Sequence, residues 1–230
     1  MDKDILLHRI PLFADLDRDA VQALASRARI TEYKAGARIV SQAEKIQAFY
    51  IILSGQVKIF RSNPEGKEQT LYLIKEGQPF CFCTAFTDKP YPVSVTALEP
   101  SCVADVPASA MEDLARKEPL LLLKIMQTLA SRLLETMNMV ESLALHGTRE
   151  RIASFLLHAE SCSTSGPGEP FTLPIQHREL AKILGVTPET LSRTIQKFNR
   201  NKQIESSGKT VRILDRQGLM GDGEQTLPEQ

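Results

Sequence analysis

Apolar positions between residues 49 and 74 fall in three short runs: Phe49-Tyr50-Ile51-Ile52-Leu53, Val57-Lys58-Ile59-Phe60 and Thr70-Leu71-Tyr72-Leu73-Ile74. Aromatic and β-branched residues dominate them, which suits a pleated, half-buried surface. Turn-forming sequence punctuates this half of the chain: Tyr33-Lys34-Ala35-Gly36, Ser54-Gly55, Asn63-Pro64-Glu65-Gly66 and Glu76-Gly77. Glycine and asparagine take backbone conformations that other residues resist, so these clusters mark chain reversals. Short strands at about 8–12-residue spacing over the first ~100 residues predict a small sandwich or barrel. Helical periodicity shows in this half only around Val21, Leu24 and Ala28.

After Pro107 the period changes. Leu120 to Leu143 holds no Gly or Pro, and Leu122, Met126, Leu129, Leu133, Thr136, Val140 and Leu143 are spaced alternately by four and three. That heptad stripe predicts one long helix with an apolar seam longer than a small core needs. The preferred reading is a parallel contact with the same helix of a second copy, Thr136 helping to fix register. Burial of the helix in its own domain is the competing reading. Gly147 interrupts the pattern, Arg151-Ile152-Ala153-Ser154-Phe155-Leu156-Leu157 opens another helix, and Ser161 to Pro170 has the composition of a surface loop. The expected organisation is a β-rich domain over 1–108, a long helix over 109–146, a third segment over 147–217 and a polar tail over 218–230.

Residues His177 to Gln196 read as two helices joined by a turn. Leu180, Ala181 and Leu184 form the inner face of the first, and Gly185 permits the tight turn because it takes positive φ at little cost. Thr187 suits an N-cap, Pro188 the first helical position, and Glu189 the positive end of the helix dipole. Leu191 and Ile195 turn the second helix back onto the first, leaving Glu189, Thr190, Ser192, Arg193 and Lys197 outward. This is a helix-turn-helix. Ile204 to Leu214 then alternates around Ser207-Gly208, a β-hairpin that makes the unit a winged helix. Thr194 stands where an apolar residue is common.

Composition narrows the class. The 230 residues are 42% hydrophobic and 24% charged, ordinary for a globular chain with a core, and 28 Lys+Arg balance 28 Asp+Glu. The balance hides an asymmetry: His177 to Arg212 carries eight basic residues against three acidic ones, which points to a polyanion. The four cysteines (81, 83, 102 and 162) fit a reducing compartment better than a disulfide framework. No apolar run is long enough to span a bilayer, and Met1-Asp2-Lys3-Asp4 lacks a signal-peptide layout, so a cytoplasmic protein is expected.

Two segments carry a family resemblance. Phe49-Tyr50-Ile51-Ile52-Leu53-Ser54-Gly55-Gln56-Val57-Lys58-Ile59 is similar to the β-roll signature of the CRP/FNR superfamily of bacterial transcription regulators, and Gly185-Val186-Thr187-Pro188-Glu189-Thr190-Leu191-Ser192-Arg193 to its recognition helix. The chain resembles that family over nearly its whole length. The resemblance implies an α+β fold: an N-terminal β-roll of the cyclic-nucleotide-binding, jelly-roll type, a long dimerisation helix and a C-terminal winged helix-turn-helix. It implies double-stranded operator DNA, RNA polymerase and a second copy of the chain as partners. Two recognition helices related by a two-fold axis would meet successive major grooves, so the operator is expected to be an inverted repeat. Arg193 can bond a guanine's O6 and N7, and Glu189 can accept from a cytosine amino group. Ser192 offers a small hydroxyl to a neighbouring base, while Arg178, Lys197 and Lys209 are assigned to phosphates. Glu-x-x-Ser-Arg resembles the FNR branch, whose half-site is TTGA-like; Thr187 and Thr190 complete the expected DNA-facing set.

The sensor half departs from better-known branches. Members that bind cyclic nucleotides hold ribose and phosphate with Gly-Glu and Arg-Ser pairs; here Cys81-Phe82 and the Tyr91-Pro92-Val93 stretch stand in their places, and no Arg lies between Arg61 and Arg116. Cyclic AMP is therefore not expected, nor is an FNR-type iron–sulfur cluster, since no Cys precedes Cys81. An apolar effector pocket is expected around Phe80, Cys81, Phe82, Cys83, Phe86 and Tyr91, with the two Cys on one face of a strand and Phe80 and Phe82 on the other. Phe80-Cys81-Phe82-Cys83 is similar to the haem-ligand segment of the carbon monoxide sensor CooA, which makes Cys81 a candidate axial ligand of a haem. His8, His146, His158 and His177 are candidate second ligands, although His177 is expected to face DNA or solvent. The chain also resembles the DNR and HcpR regulators of nitrosative stress, which implies nitric oxide as a signal. Direct thiol chemistry, an apolar organic effector and buried small-residue packing of the Cys are the alternatives, as is a haem or thiol protein in which DNA binding is secondary. No P-loop, dinucleotide-binding or nucleophile-elbow motif supports an enzyme.

Overall fold

The structure, a computed structural model, describes residues 7–81, 87 and 89–220. The chain divides into two compact units, residues 1–135 and 136–230.

The first unit opens with helix α1 (Arg18–Arg27), whose start is fixed by the Asp17 carboxylate accepting the Ala20 N–H at 3.1 Å. Eight strands follow: β1 (Arg29–Tyr33), β2 (Arg38–Val40), β3 (Ala48–Ser54), β4 (Gln56–Ser62), β5 (Glu68–Lys75), β6 (Pro79–Phe80), β7 (Ser94–Ala97) and β8 (Ser101–Pro107). They pair antiparallel into two four-stranded sheets, β1-β8-β3-β6 and β2-β7-β4-β5. Helix α2 (Ala108–Lys117) comes next, followed by α3 (Pro119–Leu145), which begins in this unit and continues past residue 135 into the second. Strand β3 shows why its sequence is apolar without alternation. Phe49 and Ile51 point into a core shared with α1 and α2, while Ile52, flanked by Tyr50, points into the second core between the sheets. Both faces are covered, so neither selects for polar residues. Gly55 links β3 to β4 at φ +88°, and a Cβ there would sit 2.6 Å from the Pro100 carbonyl oxygen and press on Ser101, so only glycine serves.

Within α3 only Leu121 and Ile125 are buried. Leu122, Met126, Leu129, Leu133, Val140 and Leu143 are 38–62% exposed, so the stripe is not absorbed by the core of its own chain.

The second unit contains α4 (Thr148–Ser161), β9 (Phe171–Thr172), α5 (His177–Ile183), α6 (Pro188–Arg200), the hairpin β10 (Ile204–Ser207) and β11 (Thr210–Ile213), and α7 (Arg216–Met220). Gly147 is the N-cap of α4. The strands form a three-stranded sheet in the order β10-β11-β9. Ile152 and Leu156 of α4, Leu180 of α5, Leu191 and Phe198 of α6 and Val211 of the hairpin are at most 1% exposed. Two polar anchors brace this core. Arg149 stacks 5.3 Å over the Phe198 ring and donates to the Gly218 carbonyl at 2.7 Å. Glu160, 3% exposed, is paired with Arg216 and accepts the Gly168 N–H at 2.9 Å, so its buried charge is compensated.

Candidate functional site

Helix α6 begins where its sequence dictates. The Thr187 hydroxyl accepts the Thr190 N–H at 3.2 Å, and Pro188 occupies the first turn. Before it, Gly185 at φ +64° allows the Val186 N–H to reach the Ala181 carbonyl at 3.0 Å, which closes the turn after α5. Leu191, Ile195 and Phe198 are buried, which rotates the opposite face outward. That face presents Glu189, Ser192, Arg193 and Lys197 to solvent; Thr187, Arg178 of α5 and Lys209 at the hairpin tip are exposed as well. Thr190, on the same face, is partly exposed. Its hydroxyl lies 3.0 Å from that of Thr187. Thr194 donates to the Thr190 carbonyl at 2.9 Å, so a hydroxyl is satisfied where an apolar residue is common. The Glu189 carboxyl is held below the usual carboxylate range, first by its own backbone N–H and then by the Thr187 hydroxyl.

One residue that sequence reasoning passed over positions the hairpin. Asn199 of α6 donates to the Ser206 hydroxyl at 2.8 Å and accepts the Ser206 N–H at 3.0 Å, clamping the wing to the helix. Its signal, an Asn near a helix end, is too common to single out. His177 is partly exposed, with its Nε2 turned inward and buried.

In the first unit a cavity of about 280 Å³ lies between strands β4 and β5, the segment after β6 and helix α3. Ile59, Leu71, Ile74 and Val93 supply aliphatic walls, and Tyr72, Phe80 and Tyr91 aromatic ones. Of the predicted pocket residues, Phe80, Cys81 and Tyr91 meet here; Phe82, Cys83 and Phe86 lie outside the described residues. The expected strand alternation fails. β6 ends at Phe80, and Cys81 takes φ +66°, so Phe80 and Cys81, each 2% exposed, border the same cavity instead of opposite faces. Tyr50 stacks on Phe80 with ring centroids 5.2 Å apart, and burial pushes the Tyr50 phenol up from its ordinary pKa.

Helix α3 contributes Leu129 and Arg132 to the lining. Arg132 sits 5.1 Å over the Tyr72 ring and pairs with Glu135 at 2.8 Å, while the Tyr72 hydroxyl donates to the Arg132 carbonyl at 3.1 Å. The expectation of a pocket without arginine came from the β-rich segment alone; the cation arrives from a distant helix, and only its spacing of three from Leu129 hinted at it. Among the described residues no group of three or more His, Cys, Asp or Glu could hold a metal ion, and no helix is long and apolar enough to cross a membrane.

A two-sheet roll with a ligand-sized cavity, a long helix and a winged helix-turn-helix together define a DNA-binding transcription regulator. Comparison with known proteins agrees: residues 30–118 match the cyclic nucleotide-binding domain and residues 150–221 the Crp-like helix-turn-helix domain. The transcriptional activator protein FnrA of Stutzerimonas stutzeri is 28% identical over 91% of this chain and 86% of its own. A CRP-like cAMP-activated global transcriptional regulator of Mycobacterium tuberculosis is 26% identical over 94% of this chain and 97% of its own. A CooA mutant from Carboxydothermus hydrogenoformans superposes with a TM-score of 0.74 at 22% identity, covering 84% of this chain and 87% of that one, a likeness of fold alone. The chain belongs to the CRP/FNR family of transcription regulators.

Proposed function

We propose that the protein is a homodimeric regulator that reads an inverted repeat of TTGA-like half-sites and acts with RNA polymerase, its operator affinity set by a small, mainly apolar effector in the β-roll cavity. On each half-site Arg193 takes a guanine's O6 and N7 bidentately, and the ionised Glu189 accepts from a cytosine amino group. Ser192 reads a neighbouring base edge, and the Thr187 and Thr190 hydroxyls contact the backbone beside it. Arg178, Lys197 and Lys209 neutralise phosphates, setting affinity and its salt dependence without reading sequence.

The observation that carries the effector reading is the double position of Leu129. It walls the cavity and also belongs to the exposed apolar stripe that would face a second copy. A ligand that moves Leu129 therefore alters the surface on which dimerisation depends, biasing the dimer between two arrangements.

Haem does not fit the described lining. Cys81 is the one thiol or imidazole donor among those residues, so a second axial ligand is missing from it. A nitric oxide signal received by haem loses its support with it. Thiol sensing is weakened too, since a sulfur buried among apolar groups is a poor nucleophile, and burial pushes the Cys102 thiol up. An apolar organic effector suits the cavity better.

Fluorescence anisotropy with a duplex carrying two inverted TTGA half-sites, against a scrambled duplex, tests the DNA reading. A preference of about 10³-fold or more is expected at physiological salt. Equal affinity for the two duplexes would defeat it.

A further inference from the structure

The cavity's lining is apolar with one exception. Among the described lining residues Arg132 is the single charged side chain, set over Tyr72 in a lining that also holds Phe80 and Tyr91. We propose that the effector carries one anionic group, a carboxylate or its equivalent, on a compact aromatic or aliphatic body, and that Arg132 reads that group. The inference rests on the reading of the cavity as the effector site.

The guanidinium lies over the Tyr72 ring and pairs with Glu135 at the cavity wall. A guanidinium has five N–H donors in a fork, so it can serve Glu135 and a ligand carboxylate together, and the fork favours a planar, bidentate anion. The aromatic walls favour a flat body, and about 280 Å³ limits it to one or two rings or a short chain. A sugar is disfavoured on the same grounds. Its hydroxyls would lie against Leu71, Ile74 and Val93, where they lose water without gaining partners.

The matched probes 2-naphthoate and 2-naphthamide share a ring system and differ in charge. Their binding to the full-length protein, measured by calorimetry, is expected to favour 2-naphthoate about tenfold or more. Arg132→Gln should erase that preference by weakening 2-naphthoate alone, and Leu71→Trp, which fills the cavity, should weaken both. Val93→Phe gives a second cavity-filling variant in case Leu71→Trp does not fold. Equal binding of the probes to the wild type, or a preference that survives in Arg132→Gln, would overturn the anion assignment while blockage by Leu71→Trp still upheld the cavity. Binding of both probes that ignored both filled variants would overturn the two readings together. Cyclic AMP binding more tightly than 2-naphthoate would also overturn the proposed ligand class.

Discussion

Replacing Arg193 by Ala isolates base recognition from folding. The side chain is exposed on α6, and among the described residues no hydrogen bond or ion pair holds it. Alanine is the best helix former, so thermal stability should change by no more than about 0.5 kcal/mol. On DNA the loss should be specific. A bidentate arginine–guanine pair is worth about 1–3 kcal/mol of discrimination, roughly 5- to 150-fold per half-site, and a dimer on two half-sites forfeits about twice that free energy. Lys197→Ala is the control. That side chain is also exposed, but as a phosphate contact it should weaken all duplexes alike and flatten the salt slope by about one unit per protomer. Anisotropy titrations of both variants on operator and scrambled duplexes at several salt concentrations separate the roles. If Arg193→Ala lost the same factor on both duplexes, Arg193 would be a phosphate contact and the assignment would be refuted.

Leu129→Glu/Leu133→Glu places carboxylates in the exposed stripe of α3, and sedimentation should show monomers with poor operator affinity, because charges buried in a helix seam lack partners; a wild type that sediments as a monomer at micromolar concentration would remove the seam. The Glu189 carboxyl is depressed from its ordinary value of 4.5, so its ionised form, and any stability it brings, is present above that value and lost only as pH falls through the lower folded one. Operator selectivity that depends on Glu189 should therefore stay flat between about pH 8 and pH 5; a loss beginning near pH 6 would contradict the assignment. Brief alkylation of the native protein should label exposed Cys162 and spare buried Cys81, and mass mapping that found Cys81 modified first would restore thiol sensing.

The helix-turn-helix was legible residue by residue because its determinants are local. Thr187 caps, Pro188 starts and Gly185 turns within a few positions of one another, and each acts through its own backbone. The strands were legible for a similar reason, since the run from Phe49 to Leu53 buries both faces and stays apolar throughout. The sensor site was only half legible. Phe80, Cys81 and Tyr91 meet as expected, but a positive φ at Cys81 breaks the alternation, and nothing in the local sequence announces it. Arg132 reaches the cavity through the packing of α3 on the roll, a relation between residues about sixty positions apart that no local period encodes.

In vitro selection of bound duplexes from a randomised library, using the full-length protein, tests sequence-specific recognition by a two-fold dimer most directly. The account predicts enrichment of an inverted repeat of TTGA-like half-sites whose centres lie about 10–10.5 base pairs, or a multiple of that, apart. Enrichment of a single unrepeated half-site, or of no motif at all, would contradict it.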